Sequence, residues 1–135
     1  MAMKTPQVEL GDVTEGGVAP AIMAIVDRGV AERPELAETL QAEIELNIEE
    51  GYPPVRIVFD EGRVVVEDGG SAEPDLRVSG TLPDLVSLMV APLVGGVPNP
   101  MAAKGRAALG MVAQRRVKVE GRLPLLRRFL GVIRI

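Results

Sequence analysis

Apolar and polar residues alternate in two short segments of the second half of the chain, as they do in strands with one covered face. DLRVSG places Leu76 and Val78 on one face, and RRVKVEG does the same with Val117 and Val119. Between them lie two segments with apolar residues at helical spacing, TLPDLVSLMVA and MAAKGRAALGMVAQ, joined by the Pro- and Gly-rich PLVGGVPNP. We therefore expect two helices that cover the apolar face of a sheet containing both strands.

Three more strands are predicted nearer the N-terminus. AEIELNIEE directs Ile44, Leu46 and Ile48 to one face and acidic residues to the other, and VRIVFDEGRVVVEDGG predicts a hairpin that turns at Asp60–Gly62. Since each strand has one polar face, the sheet is expected to be mainly antiparallel, wet on one side and covered by helices on the other. Helices that precede the strands and interrupt them late indicate the α+β class.

The remaining pattern predicts the helices and the extent of the domain. Residues 1–17 are polar and Gly-rich, so we predict a flexible N-terminal arm followed by one domain at 18–135. PAIMAIVDRGV and ERPELAETLQA predict two helices, each with a proline near its start. Thr81 and Asp84 form a capping signal for a third helix that is apolar nearly all round. RLPLLRRFLGVIRI predicts a basic, amphipathic terminal helix that closes the core or gates a cavity.

The composition argues against several kinds of site. The chain has no cysteine, histidine or tryptophan, so the usual nucleophile–base pairs and nitrogen or sulfur metal sites cannot form. Paired carboxylates such as Glu49 and Glu50 fall in predicted turns, where a solvated surface is the ordinary explanation. We therefore predict no catalytic residue, no enzyme activity, no metal and no cofactor. No apolar leader or membrane-spanning run is present, which favours a cytoplasmic protein.

Charge is distributed unevenly along the chain. Residues 1–100 hold six basic and 18 acidic residues, a net charge of −12, whereas residues 101–135 hold nine basic residues and one acid, a net charge of +8. One interpretation is internal complementarity between the two parts. The other is a basic face that meets anionic lipid head groups. Aromatic residues are only 2% of the chain and the total charge is −4, so nucleic acid is not expected as a partner.

Several segments of the chain follow one another in a characteristic order. They are PELAETL before the first strand, the hairpin VRIVFDEGRVVVEDGG, DLRVSG followed by TLPDLVSLMVA, Asn99-Pro100, the Gly-punctuated segment, and VKVEG before a final apolar helix. From roughly Pro20 to Ile135, this series resembles the sterol carrier protein 2 family of lipid-binding domains. Two features depart from the family pattern: the segment between Asn99-Pro100 and the last strand is longer, and GYPPV stands where a tryptophan is usual.

The resemblance implies a five-stranded sheet covered on one face by helices, with an apolar tunnel between them and no catalysis. Such a tunnel would hold fatty acids, fatty acyl-CoA or sterol- and isoprenoid-like lipids. By position, the family's cavity wall corresponds to eight apolar residues: Leu85, Leu88, Met89, Met101, Leu109, Val112, Phe129 and Leu130. Candidates for attracting a carboxylate or phosphate head group are Lys104, Arg106 and Arg128, each of which is also explained as a solvated surface base.

Two functions are thus compatible with the sequence. The first is non-enzymatic binding, and transfer, of an apolar lipid. The second is an association or dimerisation module with a filled interior that serves as an accessory domain, because Val, Leu and Ala fill a core as readily as they line a tunnel. A homodimer joined through the terminal helix or an edge strand, and weak contact with an anionic membrane surface, are the further partners that the sequence allows.

Overall fold

The computed structural model describes residues 7–38, 40–94 and 96–134. The first six residues of the predicted arm lie outside this description. The helices and strands in chain order are β1 (Gln7–Leu10), α1 (Ala19–Glu32), α2 (Pro34–Glu38), β2 (Gln41–Ile48), β3 (Val55–Asp60), β4 (Arg63–Asp68), β5 (Leu76–Gly80), α3 (Leu82–Val90), β6 (Leu93–Val94), β7 (Val97–Pro98), α4 (Ala103–Ala113), β8 (Lys118–Gly121) and α5 (Leu123–Val132). The predicted α+β class is confirmed.

Six strands form one sheet in the order β1–β4–β3–β2–β5–β8, while β6 and β7 form a separate small hairpin. The pairs β4–β3, β3–β2 and β5–β8 are antiparallel, and β1–β4 and β2–β5 are parallel. The mainly antiparallel sheet is therefore confirmed, with one strand more than expected. The additional strand is Gln7–Leu10, within the segment predicted to be an arm. Val8 and Leu10 alternate with Gln7 and Glu9, but this short pattern lies in a polar, Gly-rich segment, and the pairing with β4 identifies the strand.

The face of the sheet that the helices cover is apolar and closely packed. One row across four adjacent strands consists of Val66, Ile57, Ile44 and Leu76, each of which is 0% exposed. Burial of such a side chain contributes about 1.5–3 kcal/mol relative to its exposure to water. The apolar stripes of the helices complete this core, with Val26 and Val30 from α1, Leu85 from α3, and Phe129 and Val132 from α5.

The open face of the sheet carries a row of alternating charges, and four of its five residues are next in sequence to a residue of the apolar row. Glu67, Arg56, Glu45, Arg77 and Glu120 are successive cross-strand neighbours on β4, β3, β2, β5 and β8. Arg56 pairs with Glu67, and Arg77 pairs with both Glu45 and Glu120. The hydrogen bond to Glu45, together with its negative charge, raises the pKa of the Arg77 guanidinium. Neighbouring opposite charges stabilise the sheet in this register, because a shift by one residue would bury them.

The N-terminus of α1 receives its cap from the sheet. Its own N-cap residue, Val18, provides no side-chain hydrogen bond. Instead, Asp68 at the end of β4 accepts hydrogen bonds from the backbone N–H groups of Ala19 at 3.2 Å and Thr14 at 2.8 Å. A carboxylate at this position satisfies free amides and interacts favourably with the positive end of the helix dipole. The contact thus fixes α1 against the sheet.

The terminal helix α5 approaches α1 and α2 closely at two glycines. A Cβ atom at Gly29 of α1 would collide with the backbone carbonyl of Val132, and one at Gly131 of α5 would lie 2.6 Å from Cδ1 of Leu36. Backbones can approach this closely only where one partner lacks a side chain. These glycines therefore determine where α5 lies over the core.

Candidate functional site

Two surface clefts flank α5, and residues of this helix form one wall of each. The first, which we call the apolar cleft, has a volume of about 590 Å³ and is lined by Leu40, Gln41, Arg122, Pro124, Leu125 and Arg128. The second, the arginine cleft, has a volume of about 630 Å³ and is lined by Glu32, Arg33, Leu36, Leu93, Gly96, Arg127, Gly131 and Arg134. Both volumes lie in the range of about 300–1,000 Å³ that is typical of small-molecule sites.

The apolar cleft opens where the first turn of α5 faces the start of β2. Its walls include Leu40 and Leu125, which are each 5% exposed, so the cleft ends on the outer layer of the core. Two basic residues at its rim are held by protein groups. Arg122 lies 3.6 Å from the Asp75 carboxylate, and Arg128 donates a hydrogen bond of 3.3 Å to the Leu36 carbonyl. The cleft thus combines an apolar floor with a positively charged rim.

The arginine cleft is built from three elements that are distant in sequence. Arg127 and Gly131 are four residues apart on one face of α5, and Arg134 lies two residues beyond the end of the helix. Arg33 follows the last residue of α1, and the β6–β7 hairpin contributes Gly96. Gly96 has a φ of +80°, and a Cβ atom there would lie 3.0 Å from Cβ of Arg127. The hairpin therefore packs directly on α5 because this position is glycine.

Arg134 closes one end of the arginine cleft and is tied to the end of α3. Its Nη1 donates to the Leu88 carbonyl at 3.5 Å, and its Nη2 donates to the Ala91 carbonyl. Positive charge at a helix C-terminus interacts favourably with the dipole. Partial burial lowers the pKa of the Arg134 guanidinium, and the positive charge of Arg33 lowers it further. The positively charged Arg33 and Arg134 therefore lie near each other in this cleft.

The structure separates the eight predicted wall residues into two groups. Five are buried in the core between the sheet and the helices, namely Leu85, Leu88, Met89, Phe129 and Leu130. The other three lie at the surface along α4 and just before it: Met101 is 85% exposed, Leu109 is 37% exposed and Val112 is 39% exposed. The helix α4 turns Gly105, Ala108 and Met111 inward instead. A Cβ atom at Gly105 would collide with the backbone of Asn99, so this glycine permits the close approach that its helical position predicts.

The three candidate head-group residues do not come together. Lys104 and Arg106 are exposed on α4, where Arg106 donates to the backbone carbonyls of Pro100 at 3.2 Å and Met101 at 3.3 Å. Arg128 is on α5 and lines the apolar cleft. Of the three, Arg128 alone contributes to a described cleft.

Sequence reasoning missed that Arg33, Arg127 and Arg134 line one cleft. The pattern of the terminal segment predicts only that its arginines form the polar side of an amphipathic helix. The available signal was the spacing of Arg127 and Arg134, which lie seven positions apart at the basic C-terminal end of the chain. No local pattern could have joined Arg33 to them, because it is more than 90 positions away in sequence.

Three carboxylates are buried, and each has partners. Glu45 accepts from the N–H of Ser71 and pairs with Arg77, Asp68 caps α1, and Asp84 pairs with Arg116 at 2.6 Å. None of the three lines either cleft. The Asp84–Arg116 and Asp75–Arg122 pairs join the acidic and basic parts of the chain, as the interpretation of internal complementarity predicts. Within residues 7–38, 40–94 and 96–134, no three acidic side chains are grouped as metal ligands would be.

A sequence profile of the SCP-2 sterol transfer family matches residues 23–96, which is more than half of the chain. The chain belongs to this family. The match ends before α4, β8 and α5, the part of the chain that contains the predicted longer segment. No curated protein sequence matches the chain significantly.

Solved structures show the same fold at low sequence identity. UbiJ-SCP2, a ubiquinone synthesis protein, has a TM-score of 0.58 at 14% identity and covers 86% of this chain and 84% of its own. The sterol carrier protein domain 2 of Helicoverpa armigera has a TM-score of 0.57 at 19% identity, over 90% of this chain and 95% of its own. The inverting sec-alkylsulfatase Pisa1 from Pseudomonas sp. has a TM-score of 0.58 at 16% identity, over 85% of this chain but only 16% of its own. The sterol-carrier fold predicted from the sequence is therefore confirmed.

Among the described helices, none combines the length and the apolar character needed to cross a bilayer.

Proposed function

We propose that this protein binds an apolar lipid without catalysing a reaction, and that the apolar cleft beside α5 is where the ligand enters. The observation that carries the proposal is the arrangement of this cleft. Leu40 and Leu125 form a floor that is continuous with the core, and Arg128 stands at the rim. Membership in a sterol transfer family supports the same function.

The energetics of such a ligand are those of burying methylene groups. Each buried CH₂ contributes about 0.8 kcal/mol, so an acyl chain gains affinity from an aliphatic wall without specific polar contacts. Phe129 and Leu130 lie on the inner side of α5, one to two helical turns from the cleft residue Leu125. We infer that displacement of α5 would extend the cleft towards these residues. Arg128 would orient an anionic head group at the surface.

A tryptophan placed in the cleft tests this proposal, because the chain contains none of its own. Gln41 is exposed and lines the apolar cleft, whereas Gln114 is exposed at the end of α4. On titration with palmitic acid, Gln41→Trp is expected to show a saturable change in fluorescence at a ratio of one to one. The matched variant Gln114→Trp is expected to show none. Equal responses from both variants, or no response from either, would contradict binding in this cleft.

Native mass spectrometry of the purified protein gives the complementary measurement. A stoichiometric fatty acid, isoprenoid or sterol-like molecule in the spectrum would establish lipid binding and identify the class of lipid. A clean apo mass, together with silent Gln41→Trp fluorescence, would favour the association module.

A specific observation supports that second candidate. Five of the eight predicted wall residues are packed in the core, so the interior is filled in the described conformation. The similar region of Pisa1 is also a small part of a much longer chain. If the protein is an association module, its oligomeric mass in the same spectrum will exceed 14.3 kDa by an integer multiple of the chain mass. The homodimer and the contact with an anionic membrane remain predictions.

A further inference from the structure

The arginine cleft holds more positive charge than the protein itself neutralises. Its lining includes three guanidinium groups and one carboxylate, Glu32, which lies 3.5 Å from Arg28. Among the described residues, neither Arg33 nor Arg127 is within 4.0 Å of a carboxylate. By contrast, the two arginines in the charged row of the sheet's open face, Arg56 and Arg77, each pair with glutamate. The lining of the cleft therefore carries an excess of two positive charges.

Arg134 shows that this concentration of positive charge is energetically unfavourable. Its guanidinium is partly buried, and both burial and the charge of Arg33 oppose its protonation. An arginine stays charged in a protein nevertheless. Two of its five N–H groups are directed to the carbonyls of Leu88 and Ala91, which leaves donors for another acceptor. An anion in the cleft would relieve the repulsion between the two arginines.

The shape of the cleft also suits a ligand. The cleft has a volume of about 630 Å³ and lies between α5, the end of α1 and the hairpin, with Gly131 and Gly96 in its lining. Leu36 and Leu93 supply apolar surface beside the guanidinium groups. Such a lining accommodates a charged group that is attached to a less polar body.

We propose that the arginine cleft is an anion site for a phosphate monoester group, held by Arg33, Arg127 and Arg134. The excess of two positive charges in the lining matches a phosphate monoester, which carries about −1.5 to −2 at neutral pH. A carboxylate carries only one charge and has two oxygens for three guanidinium groups, whereas phosphate has three terminal oxygens. That the attached body is a lipid rests on the proposed function; the phosphate site itself does not.

Calorimetric titration distinguishes the sources of the phosphate. The probes are inorganic phosphate, dihexanoyl phosphatidic acid and, as a head-group control without a monoester, dihexanoyl phosphatidylcholine, all below the concentrations at which the lipids form micelles. Arg33→Gln and Arg127→Gln each remove one guanidinium without changing a described ion pair. Arg115→Gln is the matched control, since it removes the same charge from an exposed position beyond the end of α4.

We expect phosphatidic acid to bind and phosphatidylcholine to bind at least tenfold more weakly. Arg33→Gln and Arg127→Gln should each weaken binding by about tenfold, and Arg115→Gln by less than twofold. The Nε–Hε NMR signals of Arg33, Arg127 and Arg134 should shift on titration. If inorganic phosphate alone also binds with the same variant dependence, the site recognises the phosphate; if only phosphatidic acid does, the lipid body is required.

Three results would overturn the inference: wild-type affinity in both cleft variants, an equal loss in Arg115→Gln, or equal binding of phosphatidylcholine. The palmitic acid titration is a separate measurement at the other cleft. If palmitic acid does not bind but phosphate binding is intact, the proposed lipid function is wrong and the anion site remains. If phosphate and phosphatidic acid do not bind but palmitic acid does, the anion site is wrong and the proposed lipid function remains.

Discussion

The two faces of the sheet are built from the same strands and are stabilised in different ways. On the covered face, Ile44 lies in an apolar row that is wholly excluded from water. On the open face, the next residue, Glu45, lies in a row of alternating charges. The covered row derives its stability from burial and close packing, which depend on volume. The open row depends on specific partners, so its contribution varies with how far each pair is shielded from solvent.

This difference bears on function because a face that binds a lipid must tolerate rearrangement. A tightly packed row resists the loss of a methyl group, whereas a row that borders a ligand tunnel can relax or remain open. Substitutions at neighbouring positions on the two faces therefore measure how firmly the interior is filled.

The largest effect is expected from Ile44→Ala on the covered face. Loss of three methyl or methylene groups from a fully buried position should lower the free energy of unfolding by about 2–5 kcal/mol, as urea denaturation would measure. Ile44→Val is the matched control and should cost about 0.5–1.5 kcal/mol. A loss below 1 kcal/mol for Ile44→Ala would indicate that the row borders a space that can adapt.

A smaller effect is expected from Glu45→Gln on the open face. The carboxylate is buried beneath the turn at Ser71, whose N–H donates to it at 2.8 Å. Glutamine keeps an acceptor for that N–H but removes the charge that pairs with Arg77, so we expect a loss of about 1–3 kcal/mol in the free energy of unfolding. Retention of full stability in the same urea denaturation would show that the charge itself contributes nothing at this position.

The smallest effect is expected from Arg63→Gln at the β1–β4 edge. Arg63 lies 2.9 Å from Glu9, but the two side chains are 61% and 43% exposed. Solvent screening limits such a pair, and we expect a loss of about 0.2–1 kcal/mol that shrinks further in 1 M NaCl. A salt-independent loss above that of Glu45→Gln would reverse the order and mean that β1 contributes more to the sheet than its exposed position suggests.

Much of the fold could be predicted because its signals are local. The alternation of Ile44, Leu46 and Ile48 assigned the covered face of β2 correctly, and the Thr81 cap of α3 is present, with its hydroxyl accepting from the N–H of Asp84 at 3.4 Å. The strand β1 and the Asp68 cap of α1 were not predicted, because both depend on a partner more than 45 positions away.

The candidate site was less predictable than the fold. Among the candidate site residues, the head-group candidate Arg128 lines a cleft, whereas the wall candidate Met101 lies at the surface. Helical periodicity shows that α5 has an apolar and a basic side, but it does not show what packs against each. The arginine cleft could not be predicted in this way, because it forms only where the end of α1, α5 and the β6–β7 hairpin pack together.

The sequence by itself determined the covered face of β2 and the apolar stripe of α5, because periods of 2 and 3.6 are properties of the strand and the helix. It also determined the order of elements that places the chain in the sterol carrier class. Only the tertiary structure decided that Arg33 joins Arg127 and Arg134, and that Leu85 and Phe129 fill the interior. The physical reason is that contacts between distant segments depend on how closely their backbones approach, as at Gly29 and Val132. Patterns of apolar and polar residues along the sequence do not contain that information.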